Sequence, residues 1–520
     1  MRYRVWGCVV GLSLGCGDDT TNATGTEGSG DDSSTSGSAT SSATSTATTM
    51  ATSGATGDTT QGPSTDTTAA ETTGETDPDT GVATSTGTST GSDSGTTGDS
   101  DSDGDSGTTT GSGVADCYAP VDHPYDGALC GTAANPCTIE LDEVVHGVGS
   151  FRNDAPGITH DDDCAPQVLY SVAQGGYFGY LAARTGPNAW DVANVPDPMA
   201  TGNLVWDTTT GTTQVLVDDG AFGLHLSTYD GVGFVGGVDP GGMHNLRGTG
   251  VEGLGYGTLV VGAETSFADS TYLAYDGAWG STVIQGQSTA VAAGVALDDA
   301  PHLAFWSSFN GTWQLFWGYP DNADVEGVLP LGSNSLQVST LSLEVVGLGE
   351  GTPYIVAARQ QPVSFLHEVV LAHRTAVPSW QVDVVASEDP AMNDTCDFPP
   401  LVAGEQCAYD YVRYRPLDVV ASQGGDVRVL YAEDHFMGDL QAECMPAPVP
   451  FCAWVPLADA STFSTWIAAY DGAGFEHTLV LDDRRITSLD TSLDANGDIH
   501  VAAYVEGAGG STVQYVRLGG

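Results

Sequence analysis

Three stretches of the chain repeat one another: Leu226-Ser227-Thr228-Tyr229-Asp230-Gly231-Val232-Gly233-Phe234, Tyr272-Leu273-Ala274-Tyr275-Asp276-Gly277-Ala278-Trp279, and Trp466-Ile467-Ala468-Ala469-Tyr470-Asp471-Gly472-Ala473-Gly474-Phe475. Each reads as a strand ending in tyrosine, an Asp-Gly turn, and an aromatic residue that opens the next strand. Aspartate can accept hydrogen bonds from backbone donors two residues on, and glycine takes positive φ without steric cost, so the pair marks a tight turn. Weaker copies end at Arg184 before Trp190, Tyr319 before Asp321, Arg374 before Trp380, and Val516 near the C-terminus.

Taking 184, 229, 275, 319, 374, 470 and 516 as equivalent positions gives steps of 45, 46, 44, 55, 96 and 46 residues. A second element precedes the turns, a small-apolar or aromatic strand such as His302-Leu303-Ala304-Phe305-Trp306, Tyr354-Ile355-Val356-Ala357-Ala358 or Ile499-His500-Val501-Ala502-Ala503-Tyr504. Helix signals are nearly absent. Four short strands in each unit of roughly 40–50 residues is the spacing of a β-propeller blade. The expected fold is therefore an all-β propeller over 115–520, seven blades of four antiparallel strands. The last unit stops one strand short at Gly520, and Thr138-Ile139-Glu140-Leu141 is placed to complete it and close the ring. The step of 96 is read as one unit enlarged by disulfide-stapled insertions near 388–415 and 433–460.

The N-terminus has a different character. Arg2 and Arg4 precede the apolar run Val5 to Leu14, and Gly15-Cys16 follows. A short charged region, an apolar core and a small residue form an export signal, and the run is too short to span a bilayer. The segment Leu12-Ser13-Leu14-Gly15-Cys16 resembles a bacterial lipoprotein signal, which implies lipid attachment at Cys16 and a signal over 1–16; Ser13 stands where such signals usually have leucine. Cleavage without lipidation, giving a secreted protein, is the alternative. The repeats together with the linker resemble propeller-type domains of bacterial surface lipoproteins, and that resemblance implies an outer-membrane or cell-surface location.

Residues 17–114 are almost wholly Ser, Thr, Gly, Ala and Asp. Such a stretch buries too little apolar surface to offset chain entropy, so it reads as a disordered linker with a reach of roughly 50–60 Å.

All 13 basic residues are arginine, against 67 acidic ones, a formal charge of −54. That balance repels a phosphate backbone, so nucleic acid is excluded as a partner, as are anionic membrane surfaces apart from the lipid anchor. Beyond Cys8 and Cys16, eight cysteines remain: Cys117, Cys130, Cys137, Cys164, Cys396, Cys407, Cys444 and Cys452. An even number in an exported chain implies up to four disulfides, with local pairing of Cys396 with Cys407 and Cys444 with Cys452 the simplest arrangement.

No catalytic constellation stands out. Gly11-Leu12-Ser13-Leu14-Gly15 fits a nucleophile elbow but lies in the signal. The fingerprints at Gly231–Gly236 and Gly248–Gly253 have no following helix to receive a pyrophosphate. Asp494, Asn496 and Asp498 alternate as calcium ligands would, yet Ile499 and Val505 occupy the places where an EF-hand needs Gly and Glu, and an inter-strand turn is the simpler reading. His160-Asp161-Asp162-Asp163 is a second acidic cluster, read as a solvated loop beside Cys164. His302 and His500 occupy matching repeat positions and are read as structural. The Asp-Gly turns are similar to the Asp-box of sialidase-type propellers, but Ser308–Trp313 is one residue short of that pattern and no arginine triad is evident.

The reading that follows is a monomeric, surface-anchored module without a cofactor that recognises a protein or glycan through propeller loops or the central channel. A polysaccharide hydrolase or lyase and a calcium-dependent adhesin are the alternatives.

Overall fold

The computed structural model describes residues 125–520, apart from short inter-strand stretches and the longer ones at 331–340 and 389–402; the signal, the linker, Cys16, Cys117 and Cys396 lie outside the described residues. Every regular element described is a β-strand, and no helix is long and apolar enough to cross a membrane.

Strand β1 (Thr138–Gly149) belongs to the sheet formed at the end of the chain. The next sheet comprises β2 (Gly157–His160), β3 (Pro166–Ala173), β4 (Tyr177–Gly186) and β5 (Ala189–Pro198). It is followed by β6 (Thr201–Asp207), β7 (Thr212–Asp218), β8 (Leu224–Tyr229) and β9 (Phe234–Gly236), then by β10 (His244–Glu252), β11 (Leu259–Thr265), β12 (Asp269–Tyr275) and β13 (Trp279–Ile284). Two further sheets contain β14 (Ser288–Val295), β15 (Pro301–Phe309), β16 (Thr312–Gly318) and β17 (Glu326–Pro330), and β18 (Leu341–Val346), β19 (Thr352–Gln360), β20 (His367–Ala376) and β21 (Ser379–Ser387). The enlarged unit holds β22 (Gln406–Ala421), β23 (Val427–Met445), β24 (Phe451–Asp459), β25 (Thr462–Tyr470) and β26 (Phe475–Asp482). The last sheet is β27 (Arg485–Leu493), β28 (Ile499–Gly507) and β29 (Gly510–Gly519), with β1 on its outer edge.

All pairings are antiparallel, and the first strands touch in a circle, β2 to β6, β10, β14, β18, β22, β27 and back to β2. This is an all-β propeller. The expectation of seven four-stranded blades is corrected, because six blades have four strands and the unit β22–β26 has five. The reason is local: β22 and β23 run far beyond the blade, and β24 pairs with the overhanging part of β23.

The expected strand closes the ring, with Thr138 opposite Gly519, Ile139 opposite Leu518 and Leu141 opposite Arg517. Salt bridges reinforce it: Arg517 pairs with Glu140, and Arg484 Nη1 donates to Asp142 Oδ1 at 3.0 Å.

The core lies between blades. Leu341, Leu343 and Val345 of β18 pack on Trp306, Leu315 and Trp317 of the preceding blade, while Val419, Val427 and Val429 pack back on Val356, Val369 and Leu371. Second strands are sandwiched on both faces, which is why β28 is buried from Ile499 to Val505 and is apolar there except for His500.

A strap missed from the sequence, residues 125–137, binds the β22–β26 blade to the last one. Leu129 and Cys130 pack in the core shared by these two blades. Arg428, only 2% exposed, donates from Nη2 to Leu129 O at 2.6 Å, from Nε to Cys130 O, and from Nη1 to Asp426 Oδ1 at 2.6 Å. The strap is itself closed by a Cys130–Cys137 disulfide. Cys444–Cys452 forms as expected, across β23 and β24, and Cys164 and Cys407 are also disulfide-bonded.

Candidate functional site

Two of the Asp-Gly turns are described and are structural; Asp276-Gly277 lies outside the described residues. Asp471 Oδ1 accepts from Ala473 N at 2.8 Å and Gly474 N at 2.7 Å, and Gly472 has φ +86°. Asp230 makes the same bonds to Val232 N and Gly233 N, both 2.9 Å, with Gly231 at φ +85°. The fingerprint at Gly231–Gly236 is therefore this turn leading into β9, and Gly248–Glu252 lies within β10, with Gly253 outside the described residues.

The two metal candidates prove to be one recurring turn between first and second strands. Asp494 Oδ1 accepts from Asn496 N and Asp498 N, both at 2.9 Å, while Gly497 turns at φ +86°. Asp161 Oδ1 accepts from Asp163 N at 3.0 Å and Ala165 N at 2.8 Å, and Cys164 takes the glycine's place at φ +62°. Ser422, Gly425 and Asp426 form a third copy, with Asp426 N donating to Ser422 Oγ at 3.3 Å and Gly425 at φ +84°. In the first two the leading carboxylate caps backbone amides. Among the described residues no group of three or more His, Cys, Asp or Glu side chains is arranged to hold a metal ion.

The histidines also serve the frame. His302 Nε2 lies 2.9 Å from Gly349 O in the next blade. His500 Nδ1 lies 3.0 Å from the Tyr515 hydroxyl and its ring stacks on His160 of the adjoining blade.

What the sequence did not show is a set of carboxyl groups on the first strands, which wall the channel. Asp418 on β22, Asp490 on β27 and Glu344 on β18 come from three consecutive blades. Asp418 Oδ1 accepts from the Ser342 hydroxyl of β18 and from Val419 N at 2.8 Å; its Oδ2 accepts from Thr491 Oγ1 of β27 at 2.6 Å. Asp490 Oδ2 accepts from Ile158 N of β2 at 2.9 Å, and the Asn203 side chain of β6 hydrogen-bonds the same carboxyl. A polar belt thus runs across five neighbouring blades.

Burial raises all three groups. Glu344 is pushed up to about 8 by desolvation and by the neighbouring Asp418. Desolvation, opposed by the hydroxyl and amide donors, raises Asp418, and desolvation together with Asp418 raises Asp490 well above the carboxylate range. Acid/base chemistry on a glycosidic bond needs two groups driven apart, one kept protonated and one kept ionised. Here all move in the same direction. Both aspartates are engaged in joining blades, and the half-buried Glu344 stands beside Asp418.

No protein-family model and no curated protein matches the sequence. Solved structures do. The WD40 propeller domain of Doa1 is 12% identical at a TM-score of 0.37, covering 74% of this chain and 96% of that one. The Aleuria aurantia lectin in complex with a fucosylated sugar is 12% identical at 0.33, with 71% and 93% covered. A polysaccharide lyase of the PL25 ulvan-lyase type is 10% identical at 0.39, with 72% and 97% covered. At these identities and TM-scores the similarities say nothing about what this chain binds.

Proposed function

We propose that the protein is an exported recognition module that binds a glycan or protein ligand through the loops or the channel of its propeller. The observation that carries this reading is that, among the described residues, Asp418 and Asp490 on the first strands are both engaged by donors from neighbouring blades, so they join the ring rather than stand as a catalytic pair. Disulfides at Cys130–Cys137 and Cys444–Cys452 support an oxidising, extracellular setting. We infer that Cys16 carries a lipid and that residues 17–114 tether the propeller to the outer membrane or cell surface. The whole chain, offered an array of polysaccharides and oligosaccharides, is expected to bind without turnover; release of new reducing ends or unsaturated products would overturn the reading. Labelled fatty acid is expected to enter the wild type and not Cys16→Ala, and equal labelling of both would overturn the anchor.

A further inference from the structure

The overhang of the β22–β26 unit forms an arm whose direction is fixed by the strap. Gln423 N donates to Tyr125 O at 2.9 Å and Leu129 N to Asp426 Oδ2 at 2.7 Å, so the turn joining β22 to β23 sits against the strap. Both strands run away from that turn. Tyr409 stands opposite Gly438 in the register, and its distance from Ser422 along an extended strand is roughly 40 Å. The arm therefore leaves the ring from the face opposite the strap.

A row of rings crosses one side of it. Tyr409 and Tyr411 have centroids 6.3 Å apart, Tyr411 stacks on Phe436 at 5.0 Å, and Phe436 meets Phe463 edge-on at 5.9 Å. The Arg485 guanidinium closes the row, 5.2 Å from the Phe463 ring and 5.6 Å from Phe436. At the other end, Gly438 lets the Tyr409 ring lie across the arm, since a Cβ there would stand 2.7 Å from the phenolic oxygen, and exposed Asp459 is the register partner of Gly438 on the far strand. The four rings are half-buried, each with part of its surface open.

We propose that this row is a binding platform for an uncharged, hydroxyl-rich sugar chain. Sugar C–H faces pack on aromatic rings, and hydroxyls donate to a carboxylate such as Asp459 and accept from a guanidinium such as Arg485. The formal charge of −54 opposes a polyanionic glycan, and Arg485 at the end of the row opposes a polycation. The proposal deepens the recognition reading and rests on it.

The test presents the full chain to neutral glucan, mannan and galactan oligosaccharides beside uronate-rich and sulfated ones, followed by titration calorimetry with the best neutral binder. Tyr411→Ala and Phe463→Ala are each expected to weaken binding about tenfold or more with an unchanged melting temperature. Tyr411→Phe keeps the ring and is expected to keep the affinity. Neutral-glycan binding that survives both alanine substitutions overturns the platform while the recognition reading stands. Binding confined to acidic glycans or to a protein overturns it as well. Product release in place of saturable binding would sink the recognition reading itself.

Discussion

Arg374 reaches out of its own blade to Glu326 in the preceding one, Nη2 to Oε1 at 2.8 Å, while the cross-strand partner of Arg374, Trp380, donates from its indole to the other oxygen of Glu326 at 3.0 Å. Arg184 likewise docks on Glu143, with Nη2 at 2.7 Å from Oε1 and Nε at 3.0 Å from Oε2. Tyr470 donates to Asp383 Oδ2 at 2.8 Å. In each case a third-strand corner is fastened to an acid on the outer strand of the blade before it.

Removing one partner leaves the other buried and uncompensated. Arg374→Met is expected to destabilise the fold by about 3–5 kcal/mol, and combining it with Glu326→Met to cost much less than the two single changes together. A double-mutant cycle by denaturant unfolding measures the coupling, which should be absent if the contact contributes nothing.

The strap offers a second test. Arg428→Met strips three acceptors of a charged donor and is expected to cost about 3 kcal/mol or more. Limited proteolysis should then cut within residues 125–137, where the wild type resists.

Glu344 gives the stability a pH dependence of known sign. Its folded value is raised to about 8, so the contribution is full below the ordinary glutamate range and is lost as pH rises toward 8. Wild-type stability should fall by at most about 1.4 kcal/mol per pH unit from this group across that window. Glu344→Gln should flatten the slope and be the more stable protein at pH 8; a variant whose profile parallels the wild type contradicts the assignment.

At the Asp-Gly turn, Gly472→Ala places a Cβ at φ +86° with nothing within 4 Å to clash, so backbone strain alone sets the cost, about 1–2 kcal/mol. Gly474→Ala, at a neighbouring position in the same turn without positive φ, should be close to neutral in the same thermal melt.

The frame was legible because it is periodic. Tyr229, Tyr275 and Tyr470 announce their turns, and Thr138 to Leu141 could be assigned to the final blade because that blade lacked a strand. The site was not legible, since Asp418, Asp490 and Glu344 sit singly in separate strands and only the ring brings them near each other. The corner acids were hidden for the same reason: Arg184 before Trp190 and Arg374 before Trp380 were visible, but Glu143 and Glu326 lie a whole unit upstream. At Asp494, Asn496 and Asp498 the ambiguity is physical, because a turn that caps its own amides uses the same alternation of oxygens as a cation loop. The fifth strand of the enlarged unit escaped notice since nothing in the steps distinguishes a loop from an overhanging hairpin.

These corner contacts all point backwards along the chain. Each such unit carries its own hook on the third strand and presents, on its outermost strand, the eye for its successor. The pairing is shown at three joints, Arg184 with Glu143, Arg374 with Glu326 and Tyr470 with Asp383, and one of the three must bring the two ends of the ring together. That duty falls to Glu143 on β1, which supplies the eye that the C-terminal half of its blade lacks.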